Sequence, residues 1–570
     1  MADYKAKIIE LLKDSIFKTY SKKLNESDVA QLIEMPKDIS YGDFAYPCFN
    51  LAKVLKKNPA EIAKNLADSI KIDPPFQKVI AAGAYVNFFL DKAILAEETL
   101  KNAVKDDYGK TKTKPERVMI EFCQANTHKP FHVGHLRNVC LGDSLVRLYR
   151  FQGHKVTAAN YQGDIGAHVA KCLWGLNKFH QKEKPTQHKG EWLGNIYAEA
   201  NALSEDNEEN KKEISEVLQK LENNDAELTK LWKETRKWCL DEFEIYYAQL
   251  GVKFDRYFFE SEFEKPGKEI VKEVLKKKVA EESEGAIIVD LRKYNLDVFV
   301  ILKSDGTALY STKDLALAKK KFEEFDIERS IYVVGSEQKF YFQQLFKVLE
   351  LMGFPQAKKC FHLSYELVML KEGKMSSREG NVVLYRTLYE EMIKKAIDEV
   401  EKRHQDWERD KQKMTAGKIA LAAMKFGMLN QDNNNVIVFD MAKAVDFEGE
   451  TGPYIQYAIA RINSIFRKYG KKLNEKIDYS LFKKDEELIL VKLLLEFPSI
   501  IEKSIEQNKP MILSIYLLQL TKAFNIFYHT CQILKEVEEI KNARLVLISA
   551  VKNVLEKGLD FLGIPALEEM

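Results

Sequence analysis

The sequence predicts a multidomain α/β protein: a small N-terminal α/β domain, a central doubly wound parallel sheet, and an all-helical C-terminal domain. Three observations carry this. Strand and helix patterns alternate from about residue 117. The basic, proline-containing link DDYGKTKTKPER separates that region from a different texture upstream, and beyond about residue 395 almost everything has helical periodicity. The 570 residues suggest about three or four domains. The expected divisions are 1–108, 109–395 with a helical insertion at about 177–250, a connecting helical segment 396–439, and 440–570.

The chain opens on a helical pattern, YKAKIIELLKDSIFKTYSKKL, and Gly42 and Asp43 then precede two helices separated by Asn58-Pro59. KVIAAGAYVNFFL predicts strands around Gly83. In the central region RVMIEFC predicts a buried strand, Leu136 to Phe151 a helix ended by Gly153, and SIYVVGSEQ a further strand before a helix from Phe340 to Met352. The charged stretch from Ser204 to Trp238 predicts solvated helices. GAIIVDLRKYNLDVFVILKSDGTALY has hairpin character, with Asp305-Gly306 as a turn. In the last third, NQDNNNVIVFDMAKAVDFEGETG is expected to be irregular; PYIQYAIARINSIFRKYG is a helix starting at Pro453 and stopping at Gly470.

Composition excludes several classes. With 45% hydrophobic and 31% charged residues the chain is an ordinary globular protein, and apolar runs such as Leu488 to Phe497 are cut by Lys492 and Glu496. No membrane partner is therefore expected. The first twenty residues carry Asp3, Glu10 and Asp14 without an apolar leader core, so a cytoplasmic location is expected. Seven scattered cysteines without a C-x-x-C pair predict reduced packing residues, with no zinc site. A net charge of +2 is silent on nucleic acid, which needs only a local basic face.

Chemistry enters at FCQANTHKPFHVGHLRN. His132 and His135 straddle Gly134 where a helix begins, and free N–H groups and the helix dipole at such an end favour an anion. Imidazole donors add to that pull, and Gly134 leaves room for a flat ring against the backbone. The combination suits a nucleoside triphosphate. Far downstream, KEGKMSSREGN offers a second phosphate contact, with Lys374 as a compact cation, Ser376 and Ser377 as hydroxyls, and Gly373 and Gly380 as points where a loop can close.

Together these two segments resemble the HIGH and KMSKS elements of class I aminoacyl-tRNA synthetases, and nearly the whole chain resembles the arginyl-tRNA synthetase family. NYQGDIGAHVAK is similar to that family's Gly-Asp-x-Gly segment, LYSTKDLALA to its Tyr-x-x-x-Asp helix entrance, and DFEGETGPYIQYAIARINSI and the terminal ARLVLISAVKNVLEKGLDFLGIPALEEM to its DALR anticodon-binding domain. The resemblance implies a Rossmann-like catalytic domain and ATP-dependent ligation of L-arginine to its cognate tRNA through arginyl-adenylate, releasing AMP and pyrophosphate. It also implies that tRNA must be bound before arginine is activated efficiently.

The resemblance assigns arginine binding to Asn126, His132, Glu260, Tyr310, Asp314 and Gln338, and ATP binding to His132, Gly134, His135, Lys374, Ser376 and Ser377. Buried carboxylates in forked geometry are what a guanidinium requires. Ser377 stands where KMSKS carries its second lysine, so Lys129 is expected to supply the missing charge and to join His132, His135 and Lys374 in catalysis. Mg²⁺ is expected with ATP. For tRNA, the resemblance points to Asn87 in the N-terminal domain and to Tyr454, Tyr457, Tyr528 and the terminal Met570 at the anticodon loop, where aromatic platforms suit unstacked bases. A monomer is expected.

Within the class, cysteinyl-tRNA synthetase would need thiolate and histidine zinc ligands, and the aliphatic-specific enzymes carry a long editing insertion; neither is visible here. A catalytically dead RNA-binding paralogue is opposed by intact His132, Gly134, His135, Lys374, Glu260 and Asp314.

Overall fold

The computed structural model describes residues 2–36, 38–111, 113–371 and 383–570. Lys374, Ser376, Ser377 and the remainder of the second motif lie outside the described residues.

At the N-terminus, helix Ala2–Tyr20 and helix Pro59–Ser69 pack together beside a three-stranded antiparallel sheet. Its strands are β1 (Phe44–Pro47), β2 (Phe76–Ala82) and β3 (Tyr85–Leu90), in the order β1-β3-β2. Gly83 turns β2 into β3 at φ 58°, a left-handed conformation that glycine adopts without a Cβ penalty. Asn58 caps the helix from Pro59 by accepting the Ala60 N–H at 2.8 Å. Asp43 accepts the Leu90 N–H at 2.8 Å and pairs with Lys492 of the helical region, also at 2.8 Å.

The central region contributes β4 (Arg117–Glu121), β5 (Lys155–Gln162) and β6 (Arg256–Phe259), then the short antiparallel set β7 (Glu281–Ser283), β8 (Ala286–Asp290) and β9 (Val298–Leu302). β10 (Arg329–Gly335) and β11 (Cys360–Tyr365) complete a five-stranded sheet of order β11-β10-β4-β5-β6, every pair parallel. Strand order reverses between β4 and β10, and open α/β sheets bind ligands in the crevice at such a reversal, outside the carboxyl ends of the strands. Helices Lys189–Glu205, Glu208–Glu222 and Ala226–Gln249 interrupt the alternation, as the charged pattern predicts.

Two local expectations change. The β8–β9 connection turns through Asn295 and Asp297, both at positive φ, while Gly306 turns the chain after β9 towards helix Tyr310–Phe325. The stretch expected to be irregular contains a strand, β13 (Ile437–Phe439), which pairs in parallel with β12 (Val368–Leu370). Its β-branched run, Val436-Ile437-Val438, is the signal for it.

In the C-terminal region Thr451 Oγ1 caps helix Gly452–Tyr469 at Tyr454 N–H, and Gly470 ends it at φ 64°. Helix Pro510–Thr530 is long and apolar enough by length and composition to cross a membrane, with mean hydropathy 1.3; half of that window is buried against neighbouring helices. The central helix Val133–Phe151 is held by other regions of the chain. The Arg137 guanidinium donates to carbonyls of Glu366, Asp432 and Asn435, and Asp143 meets Arg147 at 2.9 Å and the buried Lys425 at 3.6 Å.

Candidate active site

The turn from Phe131 to His135 leads into helix Val133–Phe151, with His132 as its N-cap. His132 Nδ1 accepts the Gly134 N–H at 3.1 Å, and His135 Nδ1 accepts the His132 N–H at 3.2 Å, closing a reciprocal cap. The two rings stack with centroids 3.9 Å apart. Because each Nδ1 accepts, each neutral ring carries its proton on Nε2. Burial pushes the His132 pKa down to about 4, with Lys129 adding to the effect, and drives that of His135 well below its usual value. The pair therefore offers neutral N–H donors at a helix N-terminus. A Cβ on Gly134 would sit 2.9 Å from the His132 ring, so the flat ring that this glycine admits is that of His132 itself.

The described chain downstream of the second motif meets this turn. Val133 N–H donates to the Val383 carbonyl at 3.1 Å and Tyr385 N–H to the Phe131 carbonyl at 3.0 Å, so Val383 to Tyr385 run beside the His132 turn. Lys129, partly buried, points its ammonium 5.1 Å from the Tyr197 ring centroid; burial lowers its pKa, Lys171 lowers it further, and Glu260 opposes both. The third histidine of the motif, His128, is sealed between the Thr127 and Thr235 hydroxyls at 2.9 and 2.8 Å and serves the packing of helix Ala226–Gln249.

Beside the turn, at the carboxyl ends of β4 and β10, lies a cavity of about 420 Å³. Asn126, Glu260, Tyr310, Asp314 and Gln338 line it together, joined by Glu121 and Tyr341; His132 is not among its lining residues. Gly163 admits the Asn126 amide, since a Cβ there would collide with Asn126 Oδ1 and lie 3.1 Å from Glu260 Oε1. Asp164 fixes the turn that carries Glu260 by accepting the Ser261 N–H at 2.9 Å and hydroxyl at 2.7 Å, with Arg236 at 2.8 Å balancing its charge.

Three carboxylates face this cavity, in different states. Glu260, 4% exposed, holds Lys313 Nζ at 2.9 Å; burial raises its pKa against that lysine's pull. Glu121, 3% exposed, pairs with Lys321. Asp314 accepts the Tyr341 hydroxyl at 2.6 Å through Oδ2, while Oδ1 is sealed from solvent without a partner. Burial raises its pKa to about 7; the Tyr341 hydrogen bond opposes this, and Glu121 and Glu260 add to it. Glu121 and Tyr341 are absent from the sequence-based assignment. A signal for Glu121 was present: an acid at the carboxyl end of the first sheet strand.

Comparison with known proteins gives this geometry its context. Residues 97–441 match the family model "tRNA synthetases class I (R), catalytic domain", residues 6–90 the arginyl tRNA synthetase N-terminal domain, and residues 455–570 the DALR anticodon binding domain. The arginine–tRNA ligase of Bdellovibrio bacteriovorus is 41% identical, over 98% of both chains. The chain belongs to the arginyl-tRNA synthetase family. The arginine–tRNA ligase of Halothermothrix orenii is 36% identical over the full length of both, and the Thermus thermophilus arginyl-tRNA synthetase structure superposes with a TM-score of 0.83 at 27% identity, covering 99% of this chain and 100% of that one.

The DALR region of this arginyl-tRNA synthetase family member carries a second cavity, of about 400 Å³, lined by Tyr457, Arg461, Tyr528, Met570, His404 and Trp407 among others. Arg461 sits between the Tyr457 and Tyr528 rings, 4.7 and 4.8 Å from their centroids. Tyr454 stands behind this layer: Asn525 donates to its hydroxyl at 2.8 Å and accepts from Arg461 at 2.7 Å. Opposite, His404 and Trp407 stack at 3.8 Å, with Lys411 over the Trp407 ring at 3.9 Å. Trp407 lies outside the DALR match and was not assigned from the sequence.

Asn87, expected to contact tRNA, is 2% exposed on β3, the middle strand of the N-terminal sheet, and its Oδ1 reaches no partner. It alternates with the core residues Val86, Phe88 and Leu90, on the sheet face it shares with the exposed Ile80, its register partner on β2. Among the described residues, His188, Glu191 and Glu242 bring possible metal-ligand atoms within 4.8 Å of one another. Glu242 is already engaged by the Gly190 and Glu191 N–H groups and the Tyr246 hydroxyl, and Glu191 by Arg386.

Proposed function

We propose that the chain performs its family's reaction, ligating L-arginine to tRNA with ATP, with the central cavity as the arginine site and the His132 turn as the ATP site. One observation carries this reading: five residues assigned to arginine from distant segments, Asn126, Glu260, Tyr310, Asp314 and Gln338, line one cavity at the strand-order reversal. In it, Asp314 and its neighbours take the guanidinium, Asn126 and Gln338 hold the α-amino and carboxylate groups, and Tyr310 lies along the side chain. The arginine carboxylate then attacks the α-phosphorus in line and pyrophosphate leaves; the terminal ribose hydroxyl of tRNA attacks the carbonyl carbon of the adenylate, forming the ester as the C–O bond to AMP breaks and AMP leaves. The protein's part is positioning and charge stabilisation.

His132 and His135 contribute Nε2–H donors to the phosphates at the helix N-terminus beside Gly134, Lys129 contributes the positive charge that Ser377 lacks, and Lys374, Ser376 and Ser377 remain the phosphate contacts expected of the second motif. Mg²⁺ enters as part of the ATP substrate. Tyr457, Tyr528 and Met570 line a cavity suited to an unstacked base, with Tyr454 bracing Arg461 from behind. We further propose a cytoplasmic monomer with no membrane partner. The test is pyrophosphate exchange with each amino acid, with and without tRNA. Exchange specific to arginine and stimulated by tRNA is expected; exchange with another amino acid, or none with arginine and tRNA together, contradicts the reading.

A further inference from the structure

We propose that Lys321 is a positioning residue of the amino-acid pocket, neutralising Glu121 as Lys313 neutralises Glu260, so that Asp314 alone presents an unmatched carboxylate to the substrate guanidinium. The inference rests on the central cavity being the arginine site. Lys321 is fully buried, and its ammonium meets Glu121 Oε2 while lying 3.9 Å from the Tyr332 ring centroid. Tyr332 is the register neighbour of Glu121 across the β10–β4 pair, so the lysine closes over the sheet beside the acid it neutralises. Lys321 follows Asp314 by two helical turns, and the shared helix face brings both to the same cavity wall. Lys313, adjacent to Asp314, is likewise buried and holds Glu260 at 2.9 Å.

An isolated buried ion is costly unless paired, and each buried glutamate here has its own lysine. With Glu260 paired to Lys313 and Glu121 to Lys321, Asp314 is the one of the three cavity carboxylates without an ammonium partner, which matches one guanidinium. The groups facing Asp314 come from every neighbouring element: Glu121 from β4, Tyr161 from β5, Glu260 from the turn after β6, Tyr332 from β10, Tyr341 from helix Lys339–Leu351, and Tyr310 and Lys321 from its own helix. Lys321 is the cation among them that favours ionised Asp314; Glu121 and Glu260 oppose ionisation. Loss of Lys321 therefore strengthens the like-charge opposition and makes the guanidinium site harder to ionise.

The experiment is the pH profile, between about pH 6 and 9, of kcat/KM for arginine in tRNA-supplemented pyrophosphate exchange. The unmodified protein should gain activity as pH rises through about 7, where Asp314 ionises. Lys321→Met should move that limb upward by about one pH unit or more, through KM rather than kcat, and Lys321→Arg should leave it in place. Glu121→Gln removes a like charge and should move the limb downward, which keeps the inference testable where Lys321→Met fails to fold. A limb at the same pH in every folded variant, with activity merely reduced, overturns the positioning role. Absence of arginine-dependent exchange in the unmodified protein instead overturns the assignment of the cavity.

Discussion

The two cavities are built on opposite physics. The central one draws three carboxylates and two lysines into a buried setting, where one acid oxygen is left without a partner. The C-terminal one is formed by aromatic rings with Arg461 between two of them, with Tyr528 exposed at 38%. A buried charge rejects any ligand that leaves it unpaired, whereas stacking surfaces accept any flat base and leave identity to the surrounding polar contacts. Selectivity for the amino acid is thus concentrated in few atoms, and affinity for RNA is spread over many.

Asp314→Asn should break the first half of that comparison most severely. Leaving a buried cation without its anion costs about 3–5 kcal/mol, so arginine-dependent exchange should fall by about two to four orders of magnitude in kcat/KM, with tRNA affinity unchanged in a filter-binding assay. Lys129→Ala should come next, slowing adenylate formation in single-turnover measurements about a hundredfold while leaving tRNA binding intact. In the other cavity, Tyr528→Ala should weaken tRNA binding by about 1–3 kcal/mol, the range for a lost base-stacking platform, without moving the KM for arginine at saturating tRNA. Trp407→Ala should act in the same direction and more weakly, because Trp407 already stacks on His404; fluorescence titration with tRNA would measure it.

A separate expected effect concerns pH and stability rather than binding. His128 and His168 are buried, with pKa pushed down by burial to about 3, and His132 to about 4. Each is depressed below its unfolded value of about 6.5, so the unfolded chain takes up protons first as pH falls. Stability should therefore decline from about pH 6.5 towards pH 4, by at most about 1.4 kcal/mol per pH unit for each histidine. Asp314 has the opposite sign: its raised pKa favours the folded state at low pH, an advantage lost as pH rises through about 7, and it offsets part of the decline. Denaturant melts at pH 7 and pH 5 would show the net slope.

Much of this was legible in the sequence because local chemistry decided it. Thr451, Pro453 and Gly470 bound a helix by their own capping preferences, and alternating strand and helix patterns were enough for a parallel sheet. The carboxylate chemistry was only half legible. Lys313 and Lys321 sit in STKDLALAKKKF, where lysines read as a solvated helix face; their burial depends on Glu260 and Glu121, which are 53 and 200 residues away in sequence. The strand from Ile437 was masked by the polar run before it, and it exists because Val368–Leu370 offers an edge to pair with. Asn87 shows what strand alternation alone leaves open: it alternates with the core residues Val86 and Phe88 and shares the other sheet face with the exposed Ile80, yet is itself 2% exposed.

The separation of the two cavities is tested most directly by measuring arginine KM and tRNA Kd side by side in Asp314→Asn and Tyr528→Ala. A crossover is expected, with Asp314→Asn raising KM at unchanged Kd and Tyr528→Ala raising Kd at unchanged KM. An Asp314→Asn protein that keeps its arginine KM, or loses tRNA binding in its place, would contradict it.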